Sequence, residues 1–179
     1  MSWRYPTAVA LAALACGAVA CGSAIAQEIA PSITRHTLQL EDQKLDYTAT
    51  AGLMPIHGTD GAAIGDMFYV AYTLPARSGE PRPIAFIWNG GSGANSTPLH
   101  YGAFGPKRLA DGAMKPNPAT LLDVADLVFM DQIQTGFGRY APGVDPKPLL
   151  SQRADARTFA GFIEAWLKDH GGTERPTFL

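Results

Sequence analysis

The segment Asn89-Gly90-Gly91-Ser92-Gly93 has the composition of a ligand-facing turn, and it directly follows the apolar run Ile84-Ala85-Phe86-Ile87-Trp88. Glycines let a backbone approach a bound group closely and aim its N–H donors at developing negative charge. Phosphate chemistry is excluded on two counts. A P-loop needs Lys and then Ser or Thr after its last glycine, but Gly93 is followed by Ala94-Asn95-Ser96. A dinucleotide fingerprint needs Gly or Ala where Ser96 stands. A second glycine turn, Thr135-Gly136-Phe137-Gly138, follows the apolar run Leu127-Val128-Phe129-Met130 and Asp131. Isolated side chains carry less. Ser92 and Ser96 read as turn or cap residues rather than nucleophiles. Asp126 and Asp131 flank a buried run and are expected to hydrogen-bond local backbone. Neither His100 nor His170 is expected to serve as a catalytic base.

The elements that must hold these turns follow from periodicity. His36–Leu40 and Leu45–Ala49 alternate like half-buried strands, and Asp66–Leu74 is rich in aromatic and β-branched residues. These three segments predict antiparallel sheet. Ile84–Trp88 and Leu127–Met130 are continuous apolar runs, the pattern of strands buried on both faces. The connection between them is long, as functional loops often are. From about Ser151 a helix is predicted, because Phe159, Phe162, Ile163, Trp166 and Leu167 form one apolar stripe. Lys168 and His170 suit its C-terminal dipole, and Gly171 suits its cap. Pro176-Thr177-Phe178-Leu179 reads as the start of a further buried strand. Two buried strands that end in glycine turns put those turns at one edge of an open α/β sheet, where ligands bind.

The chain has 179 residues and a formal charge of −2, which argues against nucleic acid as a partner. Arg4 is the only charged side chain before Gln27, and an Ala-rich run from Ala8 to Ala20 follows it. Ala24-Ile25-Ala26 offers the small residues of a signal-peptidase site, so residues 1–26 are expected to be a signal peptide and residues 27–179 the exported part. The destination is periplasmic or extracellular. Lipid anchoring at Cys21 is the alternative. The apolar run is too short for a comfortable membrane span. Both cysteines, Cys16 and Cys21, fall in the leader, so the exported part has neither disulfide nor thiol nucleophile. No cofactor or metal is expected.

The wider pattern is more specific. Arg82-Pro83-Ile84-Ala85-Phe86-Ile87-Trp88-Asn89-Gly90-Gly91-Ser92-Gly93, then Leu99-His100-Tyr101-Gly102-Ala103-Phe104-Gly105-Pro106, resembles the serine carboxypeptidase family, especially its bacterial branch. The resemblance continues through Thr120–Asp131 and Thr135-Gly136-Phe137-Gly138-Arg139. It implies a partial α/β-hydrolase fold, with antiparallel N-terminal strands followed by buried parallel strands and a packed helix. It also implies removal of C-terminal residues from peptide substrates by a Ser-His-Asp triad. Carried over residue by residue, Asn89 and Gly90 would hold the substrate's terminal carboxylate, and the N–H of Gly91 would be an oxyanion-hole donor. The family usually has Pro at Ser92, Cys or Ser at Ala94, Gly at Gln134 and Ser at Gly138. Its nucleophile sits in a G-x-S-x-G elbow, a motif these residues lack. The chain is therefore expected to be the N-terminal part of such a domain and to be inactive by itself. A non-catalytic binding module and a secreted esterase-like hydrolase are the alternatives.

Overall fold

The computed structural model describes residues 29–76, 81–90, 93–172 and 174–179. The proposed leader, residues 1–26, lies outside them. The described chain opens as a meander. β1 (Ser32–Gln39) and β2 (Lys44–His57) pair antiparallel, and β3 (Ala63–Thr73) returns antiparallel along β2. β2 runs well beyond the Leu45–Ala49 stretch expected from sequence. Its later residues Met54 and Ile56 alternate in the opposite phase to Leu45 and Tyr47, so the first half of β2 packs into one core and the second half into the core on the other face, with Pro55 exposed between Met54 and Ile56.

β4 (Ile84–Ile87) begins the parallel part. The long connection after it is not structureless. It contains a short helix α1 (Thr97–Leu99), a π-helical turn at His100–Phe104, and the hairpin β5 (Lys107–Ala110) and β6 (Ala113–Pro116). Buried Asn117 closes this excursion by donating to the carbonyls of Ala103 and Gly105 at 2.7 and 2.8 Å. Thr120 Oγ1 donates to the Phe104 carbonyl at 2.9 Å. Then come β7 (Asp126–Asp131), β8 (Arg139–Tyr140), a 3-10 turn at Lys147–Leu149, α2 (Gln152–Asp169) and β9 (Thr177–Phe178).

The main sheet has the order β1-β2-β3-β7-β4-β9, with β8 beside β3. β7 is antiparallel to β3 and parallel to β4, and β4 is parallel to β9. The fold is thus the expected partial α/β arrangement. All six residues of β7 are buried, because the strand is central and side chains of period two enter cores on both faces. Val128 and Met130 join Phe86, Tyr69 and the α2 residues Phe162 and Trp166. Leu127 and Phe129 join Leu38, Leu45, Tyr47, Tyr72 and Leu122.

α2 starts where its cap residue dictates. Ser151 is extended, and its Oγ accepts the Ala154 N–H at 3.2 Å. At the other end Gly171 has φ +76°, and the Gly172 N–H reaches the Leu167 carbonyl at 2.9 Å, the six-to-one bond of a glycine-terminated helix. Phe162 and Trp166 are buried, while Phe159, Ile163 and Leu167 pack around them.

Asp126 departs from expectation. Its carboxylate accepts the Leu74 N–H at 3.1 Å, but it also pairs with Arg82 Nε at 3.0 Å and Arg175 at 2.5 Å. Arg175 Nε further donates to the Arg82 carbonyl at 2.8 Å. These three residues sit at the amino ends of β4, β7 and β9, so one buried ion cluster joins the starts of all three parallel strands.

Candidate active-site edge

The carboxyl ends of β4 and β7 leave the sheet side by side, since Ile87 lies opposite Phe129 in the parallel ladder. Trp88, Asn89 and Gly90 therefore emerge beside Gln132, Ile133 and Gln134. Gly91 and Ser92 lie outside the described residues, so the oxyanion donor expected at Gly91 stays a proposal. Asn89 is half-buried, and its Nδ2 donates to the Gly90 carbonyl at 3.2 Å. Gly93 has φ +77°, a left-handed conformation that side-chain-bearing residues rarely adopt.

A cleft of about 910 Å³ opens on this edge, in the size range of small-ligand sites. One wall is Trp88, Asn89, Gly90 and Gly93, and a second is Gln132–Thr135 with Tyr140. The third comes from Leu149, Leu150 and the first turns of α2, through Gln152, Asp155 and Phe159. Trp88 and Phe159 stack, with centroids 4.7 Å apart, and so join the end of β4 to α2. Asp155 is the sole formally charged residue of the lining among the described residues. Burial, aided by the Asp155 carboxylate, pushes the Tyr140 phenol above its usual pKa. Among the described residues, no three His, Cys, Asp or Glu side chains converge as a metal site would require. None of the described helices is long and apolar enough to cross a membrane.

Several singled-out side chains do other work. Ser96 precedes α1, yet its hydroxyl makes no cap bond. Instead the Ser96 N–H and Oγ–H both donate to Asp131 Oδ1, at 2.7 and 2.8 Å. Asp131 thus binds backbone distant in sequence rather than local backbone. The turn after it places Gln134 at φ +69° and Gly136 at φ +50°. A Cβ on Gly136 would overlap the Asp131 carboxylate, so that position excludes any side chain.

His100 is buried and does not line the cleft. Its Nε2 lies 2.6 Å from Tyr72 Oη, and its ring is sandwiched between Tyr101 and Phe129. Burial lowers its pKa from 6.5 to about 4 and raises that of Tyr72. His170 stacks on Trp166 at the end of α2. Among the described residues, no serine hydroxyl pairs with a histidine. The part of the site that sequence reasoning missed is the α2 wall and the Ser96–Asp131 tie. The Ser151 cap signal marks where α2 begins, but no local pattern announces which sheet edge it meets.

No family model matches the sequence, and no curated protein matches it. Among solved structures, the chain is similar to Kex1(delta)p, a prohormone-processing carboxypeptidase from Saccharomyces cerevisiae, with a TM-score of 0.60 and 24% identity. The alignment covers 73% of this chain and 30% of that one. At that identity the likeness is one of fold: the chain spans under a third of that carboxypeptidase's length and has a carboxypeptidase-like α/β arrangement over the part it spans.

Proposed function

We propose that this chain supplies the substrate-carboxylate side of a serine-carboxypeptidase-like hydrolase that removes C-terminal residues from peptides. The observation that carries the reading is the position of Asn89 and Gly90. They stand at the carboxyl end of a parallel strand, on the rim of a cleft large enough for a peptide's last residues. In this reading Asn89 and Gly90 hold the terminal carboxylate, and the Gly91 N–H faces the oxyanion of the tetrahedral intermediate. The described residues pair no serine with a histidine, so their share is binding rather than bond cleavage. The same proposal includes export. Mass spectrometry of the secreted protein is expected to find Gln27 as the first residue, whereas a lipid on Cys21 replaces free export by anchoring.

The test compares an acid with its amide. The ¹⁵N-labelled chain is titrated with N-acetyl-phenylalanine and with N-acetyl-phenylalaninamide. A charge-assisted hydrogen bond contributes about 1.5–3 kcal/mol, so the acid is expected to bind roughly tenfold tighter or more, shifting the Asn89 and Gly90 signals. Asn89→Ala is expected to bring the acid down toward the amide. Equal affinities for acid and amide in the unsubstituted chain reject the carboxylate role.

A further inference from the structure

We propose that Asp131 is a positioning residue, a single buried carboxylate that ties the two glycine turns of the site together. The tie itself is read from geometry, and its consequence for ligand binding rests on the carboxylate reading above. The parallel ladder between β4 and β7 ends at Ile87 and Phe129. Asp131 lies two residues further along β7, held by β3 through its pairing with Phe68. There the β4 side of the ladder is gone, because the chain has left the sheet at Trp88 and Asn89. It returns at Ser96, and Asp131 Oδ1 receives it through the Ser96 N–H and Oγ–H at 2.7 and 2.8 Å. Both partners are buried, with Asp131 5% and Ser96 7% exposed. The turn that carries Asn89 and Gly90 is thus closed at one end by the ladder and at the other by this carboxylate.

The opposite oxygen faces the second turn. Asp131 Oδ2 occupies the space that a Cβ on Gly136 would need, so Gln132–Gly138 folds down over the same carboxylate. Gln132, Ile133, Gln134 and Thr135 from that turn share the cleft with Asn89 and Gly90. One charged group therefore sets the distance between both sides of the cleft. Site groups must be held within a few tenths of an ångström for their donors to count. A competing effect has the opposite sign: a carboxylate beneath a carboxylate-binding turn repels the ligand, and removing its charge would then tighten binding.

The experiment uses the full chain and two readouts. Amide hydrogen exchange at Ser96, Gly93 and Asn95 reads the tie, and the acid-to-amide affinity ratio reads its consequence. Asp131→Asn is expected to speed exchange at Ser96 by roughly tenfold and to lower acid affinity about three- to tenfold, with the circular dichroism spectrum unchanged. Ser96→Ala keeps the backbone donor and is expected to do the same to a smaller degree, while Ser96→Thr restores both readouts. Unchanged Ser96 exchange in Asp131→Asn overturns the tie. Faster exchange with unchanged or tighter acid binding overturns the positioning role and makes Asp131 a like-charge neighbour. If Asp131→Asn does not fold, Ser96→Ala with Ser96→Thr decides by the same two readouts. If the unsubstituted chain binds acid and amide equally, the carboxylate reading and the positioning role fail together, and the exchange arm still judges the tie.

Discussion

The two ends of β7 carry one aspartate each, and the two are used differently. At the amino end, Asp126 faces Arg82 and Arg175, which precede β4 and β9, so opposite charges close the starts of three parallel strands. At the carboxyl end, Asp131 faces no cation among its described hydrogen-bond partners and accepts a backbone N–H and a hydroxyl from Ser96, where a turn ends. The first arrangement is neutralised and holds strands together. The second leaves neighbouring backbone and amide side chains facing a cleft. Parallel strands explain the division. Their carboxyl ends diverge into loops that can be shaped around a ligand, while their amino ends must be gathered for the sheet to form.

The largest expected effect tests the gathered end. Asp126→Ala would leave two nearly buried guanidinium groups without their anion, and breaking one partner out of a buried cluster costs about 3–5 kcal/mol. That is a large share of a domain's usual 5–15 kcal/mol margin, so the urea midpoint is expected to fall sharply or the cooperative transition to vanish. A midpoint within error of the parent would remove the structural half of the comparison.

A second effect belongs to the middle of β7, where His100 lies against Phe129 and meets Tyr72 and Tyr101. Burial lowers the folded-state pKa of His100 to about 4 from 6.5, so the unfolded chain binds more protons between those values. Stability from this residue is complete above pH 6.5 and is lost as pH falls through 6.5 toward about 4, by on the order of 3 kcal/mol. Urea midpoints at pH 7.5 and 4.5 measure it. His100→Gln is expected to flatten the slope across that window, and equal slopes in parent and variant would show that His100 does not carry it.

The smallest expected effect sharpens the other end. Asn89→Ala is expected to change stability by about 0.5 kcal/mol or less, since Asn89 is partly exposed and, among the described residues, its side chain bonds to the neighbouring Gly90 carbonyl. Its cost should be seen in acid-selective binding alone. A stability loss rivalling that of Asp126→Ala would mean that the cleft edge is as structural as the opposite one.

Much of the architecture is legible in single segments. The apolar runs at Ile84–Trp88 and Leu127–Met130 are the parallel pair, and the Phe159-to-Leu167 stripe is the helix that covers one face. Elements with weak local patterns were not legible. β5 and β6 are short, and their residues are almost all exposed, so hydrophobic alternation could not mark them. The far half of β2 was hidden by Gly52 and Pro55, residues that usually interrupt strands. Ser96 reads from its residue type as a turn or cap residue, and its carbonyl does accept the His100 N–H at 2.8 Å, but its hydroxyl follows the Asp131 carboxylate instead of capping α1.

The sequence by itself determined the quantities that depend on neighbours a few residues away. Period two and continuous apolar runs specified strands and their burial, Ser151 and Gly171 bounded the helix, and glycine clusters located the turns that could face a ligand. Only the tertiary structure decided which turns share an edge and what each charge meets. Asp126 and Asp131 are chemically identical and flank the same run. They diverge because one end of β7 is enclosed by two arginines brought from residues 82 and 175, and the other by Ser96, where the turn runs into α1. Electrostatic and hydrogen-bond partners act over a few ångströms in space, and no spacing along the chain records that distance.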